Sequence, residues 1–198
     1  GKPLLVLINT SGGGHRSATF TMGVLQALDS ISNGEIMKRT FLINGASGGM
    51  IGAAYFRELY LRKLKGENIR LQNKEYISDI SGDLLNPLFT SFFARDLIAP
   101  AQKFSVGPYR YVKDRGYSFE QKLSENTRGF LDKQLKDYVE EEKKARIPLM
   151  FFNSVITRDS RKMIISTQPV RFMMRGEVDS SAIPVADPDA VDFVSFFK

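Results

Sequence analysis

The chain has 198 residues, of which 42% are hydrophobic and 25% charged, which fits one ordinary globular domain and excludes a disordered composition. There is no cysteine and one histidine, His15, so disulfide frameworks, thiolate nucleophiles, Cys-based metal sites and His-cluster metal sites are excluded. A net charge of +6 would assist binding to an anionic lipid or a nucleic acid without naming either.

Nothing at the N-terminus resembles a signal peptide. Leu4 to Ile8 is a short, continuous apolar run and predicts a strand buried on both faces. The turn-rich segment Asn9 to Gly14 follows, and Phe20, Val24, Leu25 and Leu28 then recur at helical spacing. Residues 4–29 therefore predict strand, glycine loop, helix. The unit repeats: Thr40 to Ile43 predicts a strand, Asn44 to Gly49 a loop, and Met50 to about Lys65 a helix with Tyr55, Leu59 and Lys63 on adjacent turns. The longest uncharged stretch, Thr40 to Phe56, contains Asn44, Ser47 and four glycines, and is too short and polar for a good membrane span. Alternation of this length predicts an α/β fold with a parallel sheet covered by helices.

Residues 75–119 are rich in Gly and Pro and predict short helices and loops. Residues 120–145 predict helix, with the run Glu140 to Lys144 as a solvated helix end. Leu149 to Ile156 and Lys162 to Ser166 predict two strands joined by a hairpin through Thr157 to Arg161, and Pro188 suits a helix start near Asp189. The chain lacks an initiator Met and stops within the apolar pattern of Val194 to Lys198. It therefore reads as a piece of a longer protein, one incomplete domain over residues 1–198.

The feature with most chemical content is Gly45-Ala46-Ser47-Gly48-Gly49, a G-x-S-x-G match between a predicted strand and a predicted helix. A serine on so sharp a turn needs small neighbours for close packing. Its hydroxyl then stands exposed at a helix N-terminus, with the Gly48 N–H aimed where an oxyanion would form. A glycine-rich packing turn with an incidental serine is the plainer account. The second feature is Gly12-Gly13-Gly14-His15-Arg16, where consecutive glycines bare backbone N–H groups able to hold an oxyanion or a phosphate. A phosphate or nucleotide binder is the weaker reading of this loop: no G-K-[ST] ends it, and Ser17 stands where G-x-G-x-x-G needs its last glycine.

Together these motifs resemble the patatin-like phospholipase family, with a glycine-rich oxyanion loop after the first strand, a nucleophile elbow some 30–40 residues later, and a later strand pair with an N-[AS]-x motif. Here Gly12 to Arg16 matches the loop, Gly45 to Gly49 the elbow, and Asn153-Ser154 the later strand. The resemblance covers most of residues 4–167. It implies a three-layer fold with a mostly parallel central sheet and helices on both faces. It further implies a serine acyl hydrolase acting on lipid esters through a Ser-Asp dyad. Ser47 would be the nucleophile, Gly12, Gly13, Gly14 and Gly48 the oxyanion-hole donors, and Arg16 a supporting residue. Neither cofactor nor metal is implied.

The departures are Ser11 and Ser17, where the family has Asp and Gly, and the lack of any Asp-Gly pair to supply the base. Asp187, Asp189 and Asp192 lie outside such a motif, so the base is expected beyond Lys198 and the segment itself is expected to be inactive. His15 precedes Ser47, the wrong order for a Ser-His-Asp base, and is expected as a loop residue near the site mouth. The expected partners are a lipid or phospholipid substrate and a peripheral membrane contact, with no nucleic acid. Leu84 to Ala94 suits an acyl groove, although core packing is its simpler account. Arg57, Arg62, Lys63, Lys65, Arg70 and Lys74 suit an anionic membrane, although solvated helix positions explain them equally. A catalytically silent lipid-binding or scaffolding domain is the alternative function. The compartment is not readable from these residues.

Overall fold

A computed structural model describes residues 4–84, 103–174 and 190–196. The first half runs β1 (Val6–Thr10), α1 (Gly14–Ile31), a single turn α2 (Ile36–Arg39), β2 (Thr40–Gly45), α3 (Ser47–Leu64) and α4 (Glu75–Ser81). A small hairpin, β3 (Lys103–Val106) with β4 (Tyr109–Val112), leads to α5 (Arg115–Asn126), whose first turn is capped by the Asp114 carboxylate accepting from the Tyr117 N–H. A 3₁₀ turn (Leu135–Tyr138) and α6 (Val139–Lys143) then deliver the chain to β5 (Leu149–Val155) and β6 (Lys162–Ile165). A second 3₁₀ turn (Arg171–Met174), β7 (Ala190–Asp192) and α7 (Phe193–Phe196) complete the described elements.

The main sheet has the order β1-β2-β5-β6-β7. β1, β2 and β5 are parallel, β6 turns back against β5, and β7 runs parallel to β6. The fold is therefore α/β with a mostly parallel, mixed five-stranded sheet. The Thr157 to Arg161 hairpin falls where the turn residues put it. α3 lies against β1, β2 and β5, and α1 packs principally along α3. Ile43 and Met150 from the strands join Met22, Leu25, Phe56 and Leu59 from the helices in one buried cluster. A smaller cluster on Phe151 and Val170 gathers Leu42, Leu149, Ile164 and Ala190.

Several expectations are corrected. β1 starts and ends two residues later than the apolar run, and its side chains alternate between half-buried and exposed, because it is the edge strand of the sheet. The helical spacing at Phe20, Val24 and Leu28 is real, yet those residues face outward, and Phe20 is 72% exposed. The inward face carries Leu25 from the same series together with Ala18 and Met22. The cause is the close crossing of α1 on α3: a Cβ at Gly52 would overlap the Ala18 carbonyl oxygen, so the small Ala18 must be at the contact. The expected helix over 120–145 is interrupted by turns after Asn126, and a strand at Ala190–Asp192 precedes the helix expected near Asp189.

The basic positions also divide. Arg57 is 2% exposed and pairs with Glu142, and Arg62 pairs with Glu58 and Glu67, so neither is free to meet a membrane. Lys63, Lys65, Arg70 and Lys74 are exposed. Glu142, expected in a solvated run, is buried for the same reason that Arg57 is: each neutralises the other. Leu84 is buried, while the rest of the stretch to Ala94 lies outside the described residues.

Candidate active site

Ser47 opens α3 immediately after β2. Ala46 is still extended, and Ser47 itself has φ +54°, the left-handed region that ordinary side chains avoid at a cost of roughly 1–2 kcal/mol. The chain thus turns from strand to helix within one residue, and Ser47 stays exposed. The first N–H groups of α3 have no intrahelical acceptor, so Ser47 sits at the positive end of the helix dipole.

The glycine loop lies against this turn. A Cβ at Gly12 would be 3.4 Å from the Ser47 Cβ, and one at Gly48 would overlap the carbonyl of Gly14. Gly49 likewise abuts the Ser11 carbonyl, and Gly45 abuts Thr10. Gly13 and Gly14 hold φ +142° and +60°, which lets the loop turn straight into α1 beside the elbow. The structure therefore brings Gly12, Gly14, Ser47 and Gly48 together. Ser11 and Ser17 have a role that pattern matching missed: the Ser17 hydroxyl donates to the Ser11 carbonyl at 2.6 Å and closes the loop. His15 is half-buried in the first turn of α1 with its Nε2 shielded and unpartnered, and Arg16 is exposed without an ion-pair partner among the described residues.

Behind the elbow three asparagines form a row across the parallel strands. Asn153 Nδ2 donates to Asn44 Oδ1 at 2.8 Å and to the Gly45 carbonyl at 3.0 Å, and Asn44 Nδ2 donates to Asn9 Oδ1 at 3.0 Å. Beside Ala46 there is a cavity of about 450 Å³ whose walls include Asn153, Val155, Lys162, Ile164, Met173 and Ala190. It is mostly apolar and has the size of a small-molecule site.

Among the described residues the Ser47 hydroxyl has no hydrogen-bond partner. Asp192 sits on β7, three strands from β2, where its carboxylate accepts from the N–H groups of Val170 and Val194. Asp187 and Asp189 lie outside the described residues. Among the described residues no cluster of three His, Asp or Glu could hold a metal ion, and no helix is long and apolar enough to cross a membrane. No family model, curated protein or solved structure matches the chain.

Proposed function

We propose that Ser47 is the nucleophile of a serine acyl hydrolase of the patatin-like kind, acting on lipid esters within a three-layer fold with helices on both faces of the sheet. One observation carries the reading: a non-glycine residue in the left-handed region, at the first position of α3, with a glycine loop packed against it. Strain of this sort persists where the surroundings over-determine it, and it gathers at sites of chemistry.

In the proposed reaction Ser47 Oγ attacks the ester carbonyl and gives its proton to a carboxylate base. The carbonyl oxygen becomes an oxyanion facing the N–H of Gly48 and those of Gly12 to Gly14. Collapse breaks the ester C–O bond, and the alcohol leaves with the proton held by the base. Water then attacks the acyl-serine while the same carboxylate accepts its proton; the C–Oγ bond breaks, the proton returns to Ser47 Oγ, and the fatty acid is released. The cavity beside Ala46 is suited to an apolar acyl group, and Arg16 to an anionic part of the substrate. A catalytically silent lipid-binding domain is the second reading, favoured by the lack of a carboxylate on Ser47 among the described residues.

Intact-mass labelling of the protein with a fluorophosphonate tests the reading. The expected result is one adduct that disappears in Ser47→Ala. A folded protein carrying no adduct would leave the silent lipid-binding reading in its place.

A further inference from the structure

Resting on the reading of Ser47 as nucleophile, we propose that Asn153 is a positioning residue for the elbow, acting through a side-chain amide row whose polarity is set by one backbone carbonyl. The argument begins at Gly45. Its carbonyl can only accept, so the Asn153 atom 3.0 Å away must be the NH₂ group. The same NH₂ reaches the Asn44 side chain at 2.8 Å, which fixes that atom as Oδ1. Asn44 therefore presents its own NH₂ to Asn9, which must accept through Oδ1. Each orientation follows from the one before it, although amide oxygen and nitrogen are otherwise interchangeable in shape.

The row has a mechanical meaning. Gly45 is the last residue of β2 and lies two residues before Ser47, whose φ of +54° has no intrinsic support. β5 supplies the Asn153 donor from the opposite side of β2 to the glycine loop, which arrives from β1. The elbow is thus gripped from both neighbouring strands, by backbone packing on one side and by a forked amide on the other. The terminal Asn9 accepts only, and its carbonyl is replaceable by a carboxylate.

Asparagine-to-aspartate substitutions read this polarity, because each removes the donor and keeps the acceptor. Asn153→Asp sets a carboxylate against the Gly45 carbonyl, a fixed acceptor, and loses that bond, while Asn44 and Asn9 can turn their amides over and keep the row only with its polarity reversed. Asn44→Asp keeps its bond from Asn153, and the exposed Asn9 can turn its amide over to donate to the new carboxylate. Asn9→Asp loses nothing. The maximal rate of fluorophosphonate labelling at Ser47 should fall roughly tenfold or more in Asn153→Asp, less in Asn44→Asp, and not at all in Asn9→Asp. The reagent concentration giving half that rate should not change, since the reagent's binding site is untouched. As pH falls and the new carboxyl protonates, it regains one O–H donor, so the Asn153→Asp rate relative to wild type should rise. A purely structural loss would lower the melting temperature without this order or this recovery.

Amide hydrogen exchange of the peptide spanning residues 41–50 supplies a readout independent of catalysis. Faster exchange there in Asn153→Asp, with the other variants protected in the same order, supports the grip even if Ser47 fails to label; in that case the hydrolase reading falls alone. Wild-type labelling rate and wild-type exchange in a folded Asn153→Asp would overturn the proposal, as would equal damage from all three substitutions.

Discussion

The two ends of α3 are held by opposite means. At its N-terminal end, Gly48, Gly49 and Gly52 let backbone approach backbone, so the loop after β1 and the crossing of α1 are fixed without any charge. Farther along, the same helix buries Arg57 and Glu58. Arg57 pairs with Glu142, donates to the Pro148 carbonyl at 2.9 Å and lies over the Tyr138 ring at 4.4 Å. Glu58 accepts from Arg62 at 2.8 Å, Lys133 at 2.5 Å and the Tyr138 hydroxyl at 2.9 Å. The glycine end tolerates no added atom, and the charged end tolerates no missing partner. One helix therefore fixes the elbow geometrically and anchors its far half electrostatically to the segment that leads into β5.

Gly48→Ala is the most severe way to break this arrangement. Its methyl would overlap the Gly14 carbonyl, and we expect a loss of about 5 kcal/mol by chemical denaturation, enough to unfold most of the protein. Glu142→Gln comes next, because it strands the Arg57 charge in the interior at a cost of about 4 kcal/mol. Replacing both partners with apolar residues of similar volume, as in Arg57→Met with Glu142→Leu, should recover most of that loss. If the double variant were as unstable as the single one, the charged end would be held by packing and not by the pair.

Tyr138 sharpens the electrostatic side. Burial, and then the neighbouring Glu58 charge, push its phenol well above the ordinary tyrosine value. The neutral form is thus favoured in the fold. This contribution is complete below about pH 10, where a free tyrosine ionises, and is lost as pH rises through the folded value. The melting temperature should fall above about pH 10, less steeply in Tyr138→Phe, which at neutral pH loses about 1 kcal/mol with the hydroxyl bond to Glu58. The smallest effect is expected at Phe20→Ser, within about 0.5 kcal/mol of wild type, since that ring lies outside the core. A loss comparable with Met22→Ala would show that the outer face of α1 is covered in solution.

The glycine end was legible in the sequence because a sharp turn and a close backbone contact both demand residues without side chains. G-x-S-x-G and the glycine loop record those demands locally, strand and helix on either side included. The charged end was not legible. Arg57 and Glu142 are 85 residues apart, and each looks like an ordinary surface charge beside its own neighbours. The spacing of apolar residues predicts the α1 helix but not its buried face, because periodicity reports a stripe without saying which of two stripes meets a neighbour. Ser17 departs from the glycine motif, yet a hydroxyl six residues from a carbonyl closes the same loop. Asn153 belongs to a motif visible in the sequence. Its partners are not visible there, since parallel pairing of β2 with β5 leaves no local trace.

The reach of Asn153 also sets an order of events during synthesis. It is 108 residues from Gly45, so at ribosomal speeds of about 5–20 residues per second the elbow waits roughly 5–20 s for its amide grip. Until then the nascent Ser47 turn rests on the glycine loop alone, and it acquires its last support only when β5 has emerged.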